Sequence, residues 1–324
     1  MHYGLVPRTN RGIFAVNELP DLAERIQVAL LNVLEERDIQ VRGYSLRLPL
    51  DLLLVASANP EDYTNRGRII TPLKDRFGAE IRTHYPLNLD DELAVVRQEA
   101  RLHWGDTPQT VPGAAAVSAL VPDHLLEVLA RFTRLVRESP AVDARSGVSA
   151  RFAVASAETV AASAVRRAAL TGEPVAVARV CDLPSVVETV RGKVEFEVSE
   201  EGRESEVLAH LLRRAVNDTF RRHLAAGDLS ALIAKFDEGT TVESGELVRA
   251  DELLARMGPL PGLAEIMRRL GIEDGAETPG LAAAAVEFAL EGLFLNRRIG
   301  KDEVASDESG PGVVYGAGRR PDRR

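Results

Sequence analysis

The chain has 324 residues, 45% of them hydrophobic and 27% charged, with a formal net charge of −9. That length supports two or three compact units with a sizeable core, and the acidic balance argues against a nucleic-acid coat or an anionic membrane surface as partner. No apolar run reaches membrane-spanning length, Met1–Gly4 has no signal-peptide pattern, and the single cysteine, Cys181, excludes an internal disulfide framework. These features predict a cytoplasmic protein, with Cys181 as a small core residue.

In chain order, the run Ile13–Val16 after Arg11-Gly12 predicts a short strand buried on both faces and ending in Asn17-Glu18. Pro20-Asp21 predicts the start of a helix, with Asp21 as N-cap and Leu22, Ile26, Leu30 and Leu34 on one stripe. Alternation at Ile39 and Val41, then at Tyr44, Leu46 and Leu48 across Arg42-Gly43, predicts a β-hairpin. Leu52–Ala56 predicts a second buried strand, delivering Ser57-Ala58-Asn59 to the same rim. A polar loop over 59–68, a short helix at Pro72–Phe77, a third strand at Ile81–Tyr85, a helix over Asp90–Trp104 and a linker over Gly105–Val111 follow. Helical patterns cover His124–Arg137, Ser149–Leu170 and Val207–Leu224, the last with Leu208, Leu212, Val216, Phe220 and Leu224 on one stripe. The polar stretch Glu195–Glu206 predicts a boundary, short helices run to about Leu295, and the Gly-, Pro-, Asp- and Arg-rich end from 299 predicts a disordered tail.

An apolar strand ending in Asn17-Glu18, beside a strand ending in Asn, suits nucleotide hydrolysis. A carboxylate can hold a metal or activate water beside a phosphate, and a neighbouring amide can orient that water. On these residues the chain resembles the AAA+ ATPases of the magnesium-chelatase ATPase-subunit and MoxR group over roughly Pro7–Leu170. The resemblance implies an α/β fold: a partial P-loop-type parallel sheet with helices over 1–105, a helical lid over 106–195, and a helical C-terminal extension over 196–298 before the tail at 299–324. It implies that Ile13–Glu18 is the Walker B strand, with Asn17 and Glu18 at the metal and Glu18 as the catalytic glutamate. Asn59 falls on sensor 1, Arg76 on the arginine finger that reaches a neighbouring subunit's nucleotide, and Arg151 on sensor 2. Residues 21–48 stand for the pre-sensor insertion. ATP and Mg²⁺ are the implied cofactors. A homo-oligomeric ring and a von Willebrand A-type domain protein are the implied partners, with chaperone-like remodelling or metal insertion as the work done.

Two departures stand out. Position 17 is Asn where the family usually has Asp, which removes a negative charge from the metal. No Gly-Lys-Ser/Thr loop is present: of the four lysines, only Lys193 and Lys301 follow a glycine, and Val194 and Asp302 come next. The chain therefore reads as lacking the N-terminal part of the family's core, and as unable to bind ATP productively alone. Alternative roles remain for the arginines: Arg76 could pair with Asp75 or Glu80, Arg66 or Arg68 could share its role, and Arg145 could replace Arg151. The six histidines lack metal-ligand spacing. The competing functions are a non-catalytic protein that keeps the fold and a sigma-54-activator-like ATPase, although Glu36–Leu46 has no GAFTGA-like loop.

Overall fold

The computed structural model describes residues 4–38, 49–59, 68–104, 117–143, 147–272, 279–306 and 310–317. The hairpin expected over 39–48, most of the polar loop, the linker over Gly105–Val111, Arg66 and Arg145 lie outside them. The chain divides into two compact units, Met1–His84 and Tyr85–Arg324, so the first division falls some twenty residues ahead of the boundary expected at 105.

The first unit is built on one parallel strand pair. β1 (Ile13–Val16) runs beside β2 (Leu53–Ala56) in register, Ile13 opposite Leu53 and Val16 opposite Ala56. A short α1 (Leu5–Arg8) precedes it, α2 (Glu24–Glu35) is the crossover helix, and α3 (Thr71–Lys74) follows. The core is small: Val16, Leu19, Leu30, Leu54 and Leu73. The expectation of strands buried on both faces is corrected here. Only Val16 and Leu54 are buried, whereas Ile13 is 66% and Leu53 60% exposed. With the helices packed on one face alone, alternate side chains of each strand meet water.

Other expectations change for local reasons. Residues 19–21 form a 3₁₀ turn, and α2 starts at Glu24 with Ala23 as N-cap, so Asp21 caps nothing. On α2 the inward positions are Gln27, Leu30 and Val33, and Ile26 is exposed. Gln27 is buried because its amide is fully used. Its Nε2 donates to the carbonyls of Leu22 (2.9 Å) and Arg68 (3.0 Å), and its Oε1 accepts the Ile70 N–H (2.9 Å). One side chain thus fastens the segment that leads into α3. Ile81–Tyr85 forms no strand, and Ile81 is 86% exposed; no described strand lies alongside to pair with it.

The second unit is mainly helical: α4 (Leu89–Glu99), α5 (Asp123–Arg137), α6 (Ala150–Thr171), α7 (Ser185–Arg191), α8 (Glu204–His223), α9 (Ser230–Asp237), α10 (Ala250–Met257), α11 (Leu263–Arg269) and α12 (Pro279–Leu295). Two small sheets join them. β3 (His103–Trp104) and β4 (Val117–Leu120) are antiparallel, and β5 (Ala176–Val177) runs parallel to β4. β6 (Val242–Gly245), β8 (Gly310–Gly316) and β7 (Gly300–Ser306) form an antiparallel sheet in that order. The expected stripe of α8 is buried throughout, with Leu208 and Leu224 at 0% exposure. One apolar cluster runs from Leu93 to Tyr315, so helices on both sides of the expected boundary at 195 share a core.

The disorder expected over 299–324 is corrected where residues are described, since Gly300–Ser306 and Gly310–Gly316 pair as the antiparallel strands β7 and β8; residues 307–309 and 318–324 lie outside the described residues. The anchor of this strand pair is buried charge on α12, a helix apolar on nearly every side except for Glu287 and Glu291. Tyr315 Oη donates to Glu291 Oε2 at 2.6 Å and Lys301 Nζ at 2.7 Å. Burial, with the Glu291 charge beside it, pushes the Tyr315 phenol well above its ordinary value. Glu287 accepts from Ser244 Oγ (2.6 Å) and faces Arg179 (3.4 Å), whose Nη2 also donates to the carbonyl of Val248 (2.8 Å). Composition marks residues 300–316 as coil, but Val313-Val314-Tyr315 is a strand once these partners exist. Opposite Phe220 of α8 sits Gly292, where a Cβ would enter the ring; glycine there lets the two helices close up.

Two acid-sensitive groups share the α5 side of this core. His124 is buried against Phe288, with ring centroids 4.8 Å apart. Burial, aided by the charge of His223, pushes its imidazole down to about 3. Burial alone would raise the Glu127 carboxyl, but hydrogen bonds from His223 (2.8 Å) and Arg131 (2.8 and 2.9 Å) outweigh it and hold it at about 2. Both groups take up protons more readily unfolded, so each contributes stability that is complete above its ordinary value and lost as pH falls toward its folded value. Urea unfolding should therefore weaken from about pH 6.5 downward with a slope near 1.4 kcal/mol per pH unit for one proton. The His124→Leu variant should lose the slope between about pH 6.5 and 4.5, where Glu127 contributes little.

Candidate functional site at the strand ends

Parallel pairing brings the carboxyl ends of β1 and β2 to one side of the sheet, the side where open α/β sheets place their chemistry. The ladder does not stop at the strands. Ser57 N donates to the Val16 carbonyl and Leu19 N to the Ser57 carbonyl, both at 2.9 Å. Asn17 and Ser57 are thereby opposite one another. The Ser57 hydroxyl accepts the Glu18 N–H at 3.2 Å and lies 3.5 Å from Asn17 Oδ1, to which it donates. Glu18 has φ 52° and ψ 51°, the left-handed conformation. For a residue with a Cβ this costs roughly 1 kcal/mol, and the ladder on both sides enforces it. The turn lifts the Glu18 side chain into solvent beyond the sheet. Asn17, Glu18, Ser57 and Asn59 are all exposed at this rim.

The other expected residues lie elsewhere. Arg76, just after α3, is engaged inside the first unit: Nε and Nη2 meet Glu35 Oε2 at 2.7 and 2.6 Å, and Nη1 donates to the Pro72 carbonyl at 2.8 Å. Its partner is Glu35 rather than Asp75 or Glu80. Arg68 contributes its carbonyl to Gln27. Arg151 belongs to the second unit, exposed in the first turn of α6, where the helix dipole disfavours a cation. The turn before it is fixed by Arg137, which pairs with buried Glu92, donates from Nε to the Val148 carbonyl (2.8 Å) and stacks 4.3 Å over the Tyr85 ring. Tyr85 Oη in turn accepts the Val148 N–H at 3.1 Å.

Sequence patterning placed Ser57 at this rim but gave no signal for its contact with Asn17, nor for Gln27 or the Glu92–Arg137 pair, because each acts across a long stretch of chain. Phosphate-binding candidates fare differently. Lys301 is committed to Glu291, Lys235 to the Met257 carbonyl (2.8 Å), and Lys74 lies 3.9 Å from Glu80. None of the four lysines follows a strand of the first unit, so these residues do not make a phosphate cradle. Among the described residues, no group of three or more His, Cys, Asp or Glu could hold a metal, and no helix is long and apolar enough to cross a membrane.

Comparison with known proteins bears on this rim. The sigma-54 interaction domain family matches residues 1–76, which include both strands and Arg76. The magnesium-chelatase 38 kDa subunit of Acidiphilium rubrum is 34% identical over 97 residues, 29% of this chain and 27% of that protein. The magnesium-chelatase subunit ChlI of Mesostigma viride is 36% identical over 110 residues, 33% and 28% of the two chains. The N-terminal part of this chain is similar to the AAA+ ATPases of the magnesium-chelatase group. Among these relatives the longest match is to the uncharacterized protein YeaC of Bacillus subtilis, 25% identical over 151 residues, 44% of this chain and 46% of YeaC. Each match thus spans less than half of the curated relative, and less than a third of the chelatase subunits.

The strained turn gives a local prediction. At Glu18, glycine should be more stabilising than alanine by about 1 kcal/mol, the reverse of their order in a helix. Denaturant unfolding of Glu18→Gly and Glu18→Ala checks this. Equal midpoints would mean that the left-handed turn is absent in solution.

Proposed function

We propose that the chain belongs to a ring-forming, MoxR- or chelatase-like AAA+ ATPase of the cytoplasm, coupling ATP hydrolysis to remodelling of a partner protein or to metal insertion. The observation that carries this reading is the in-register parallel pair β1–β2, ending in Asn17-Glu18 on one strand and Ser57…Asn59 on the other. In this reading β1 is the Walker B strand. Glu18, lifted clear of the sheet, polarises the attacking water, and Asn59 orients it as sensor 1.

The fit to Mg²⁺ is partial. One carboxylate and one amide oxygen suit an ion that keeps several waters and takes its remaining oxygens from phosphate. Asn17 and Glu18 would hold it, and the ion would neutralise phosphate charge. The Asn17 oxygen brings no charge and already meets the Ser57 hydroxyl, so affinity through this chain is weak. Phosphate contacts come from a loop these residues do not contain. Arg76 serves as the finger: its pair with Glu35 is half exposed, and such pairs contribute about 1 kcal/mol or less, so exchange for a neighbour's nucleotide is inexpensive. Arg151 acts as sensor 2, its unfavourable place at a helix N-terminus offset by nucleotide charge. A partner with a von Willebrand A-type domain fits the same reading.

The sigma-54 interaction domain match favours a second reading, a transcriptional activator ATPase. Residues 36–46 hold no GAFTGA-like segment, which favours the first.

In a polypeptide joining this chain to a phosphate-binding segment, Glu18→Gln should lower ATP turnover about a hundredfold or more while nucleotide binding persists. Unchanged turnover would remove the ATPase reading. In the same protein Asn17→Asp should lower the Mg²⁺ concentration for half-maximal turnover. An unchanged Mg²⁺ dependence would show that the amide is no handicap.

A further inference from the structure

The outer face of α8, whose arginines the ATPase reading leaves without a role, carries Arg213, Asn217 and Arg221. Their four-residue spacing lines them up in steps of about 6 Å. Arg213 forms no ion pair among the described residues. Asn217 and Arg221 are joined through Asn296, which follows α12, and this relay has a fixed polarity. Asn296 Nδ2 donates to the Gly292 carbonyl at 2.7 Å. A carbonyl can only accept, so the nitrogen of that amide must lie on this side. The same nitrogen donates to Asn217 Oδ1 (2.8 Å), and Asn296 Oδ1 accepts from Arg221 Nη2 (3.4 Å). Both amide oxygens are thereby used, and Asn217 is left with its NH₂ group to offer. The three side chains of the row present hydrogen-bond donors and positive charge, and no acceptor.

The residue after Asn296 is an independent sign. At the end of α12, Arg297 N donates to the Phe294 carbonyl (2.8 Å) and Arg298 N to the Leu293 carbonyl (2.9 Å). Such a turn holds its pivot residue at positive φ, where glycine is usual. Here the pivot is Arg297, at φ 59°. A bulky residue kept in that conformation marks a place where its side chain is used, and Arg297 is exposed and forms no ion pair among the described residues. The helix dipole accounts for a cation in the last turn of α8, where Arg221 lies, but not for Arg213, nor for arginine in place of glycine at 297. The nearby acids are answered or stand apart. Asp218 lies 3.9 Å from Arg214, and Glu127 meets Arg131, Arg222 and His223. Beyond the row, Arg298 shares the lining of a groove with Asp228, so that side is close to neutral and contributes nothing here.

We infer that this face of α8 docks an acidic helix of a partner protein, one with carboxylates at four-residue spacing. Laid along α8, such a helix repeats the same step of about 6 Å. One carboxylate meets Arg213, the next takes the Asn217 NH₂, and the third meets Arg221. Arg297, next to the Asn296 that holds Arg221, closes the end of the row. Guanidinium and carboxylate are matched for paired hydrogen bonds. The chain as a whole is acidic, and its field resists a long polyanion such as a nucleic-acid strand more than a short acidic segment. The contact lies wholly in the second unit, needs no nucleotide and does not depend on the ATPase reading.

Fluorescence anisotropy with the full chain tests this. The probe is a fluorescein-labelled Ala/Gln helix of about 16 residues with Glu at i, i+4 and i+8. It should bind in about 50 mM salt and about tenfold more weakly in about 300 mM. The same helix with Lys in place of Glu should bind the wild-type chain about tenfold more weakly again. The double variant Arg213→Glu/Arg221→Glu should lose about tenfold or more for the Glu helix and gain affinity for the Lys helix. Arg297→Gly should raise the urea midpoint by relieving the left-handed turn, yet weaken the Glu helix about threefold. An arginine without a role there would give the first effect and not the second. A wild-type chain that ignores the Glu helix in low salt overturns the inference, as does binding that neither variant alters. A single-stranded oligonucleotide that binds about tenfold more tightly than the Glu helix, and loses that binding in the double variant, would give the face to phosphates and overturn it too. None of these readouts involves ATP, so a negative result leaves the ATPase reading where it stands.

Discussion

The hydrogen-bonded register between Ile13–Val16 and Leu53–Ala56 is the constraint on which the functional reading depends. Parallel strands cannot be joined by a tight turn, so the chain must travel out through α2 and return before the second strand begins. Once it returns in this register, the geometry beyond the strands follows. Ser57 faces Asn17, the Leu19 N–H closes on the Ser57 carbonyl, and Glu18 is forced into a left-handed turn. A shift of one strand by one residue would turn either Leu54 or Val16 toward water and break each of these contacts.

The second unit rests on a different device. Its central helix, α12, buries two carboxylates in an otherwise apolar surface, and the elements around it are held by meeting them: Arg179 and Ser244 at Glu287, Tyr315 and Lys301 at Glu291. Pairs of this kind contribute little net stability compared with apolar residues of the same shape, but removing one partner leaves a charge stranded in the core. Their effect is selective. They fix which strand lies where, and so give the C-terminal hairpin a single seat on a sheet of only three strands.

The amphipathic helices were legible in the sequence because a buried stripe repeats every turn. The run at four-residue spacing from Leu208 to Leu224 is buried as that spacing implies, and α5 and α6 fall within a residue of their expected limits. The strand pair and its polar ends were legible for the same local reason: short apolar runs bounded by turn residues. What failed was whatever depends on a distant partner. Ile81–Tyr85 has strand composition but no neighbour to bond. Gly300–Gly316 has coil composition but gains two strands through Glu291 and β6. At the rim, Glu18, Ser57 and Asn59 could be placed by position, whereas the contact of Ser57 with Asn17, forty residues away, exists only once the register sets the two opposite.

The exposed side of the first unit's sheet carries a consequence for how the molecule behaves in a tube. Ile13, Leu53 and Val55 are exposed on this side, and an excess of nine negative charges opposes the approach of two such flanks. Electrolyte shortens the reach of that repulsion, and warming from the cold strengthens the attraction between apolar surfaces. Colloidal stability of the isolated polypeptide is thus poorest in warm, saline buffer, and a cold, dilute medium at alkaline pH is the kindest solvent for it.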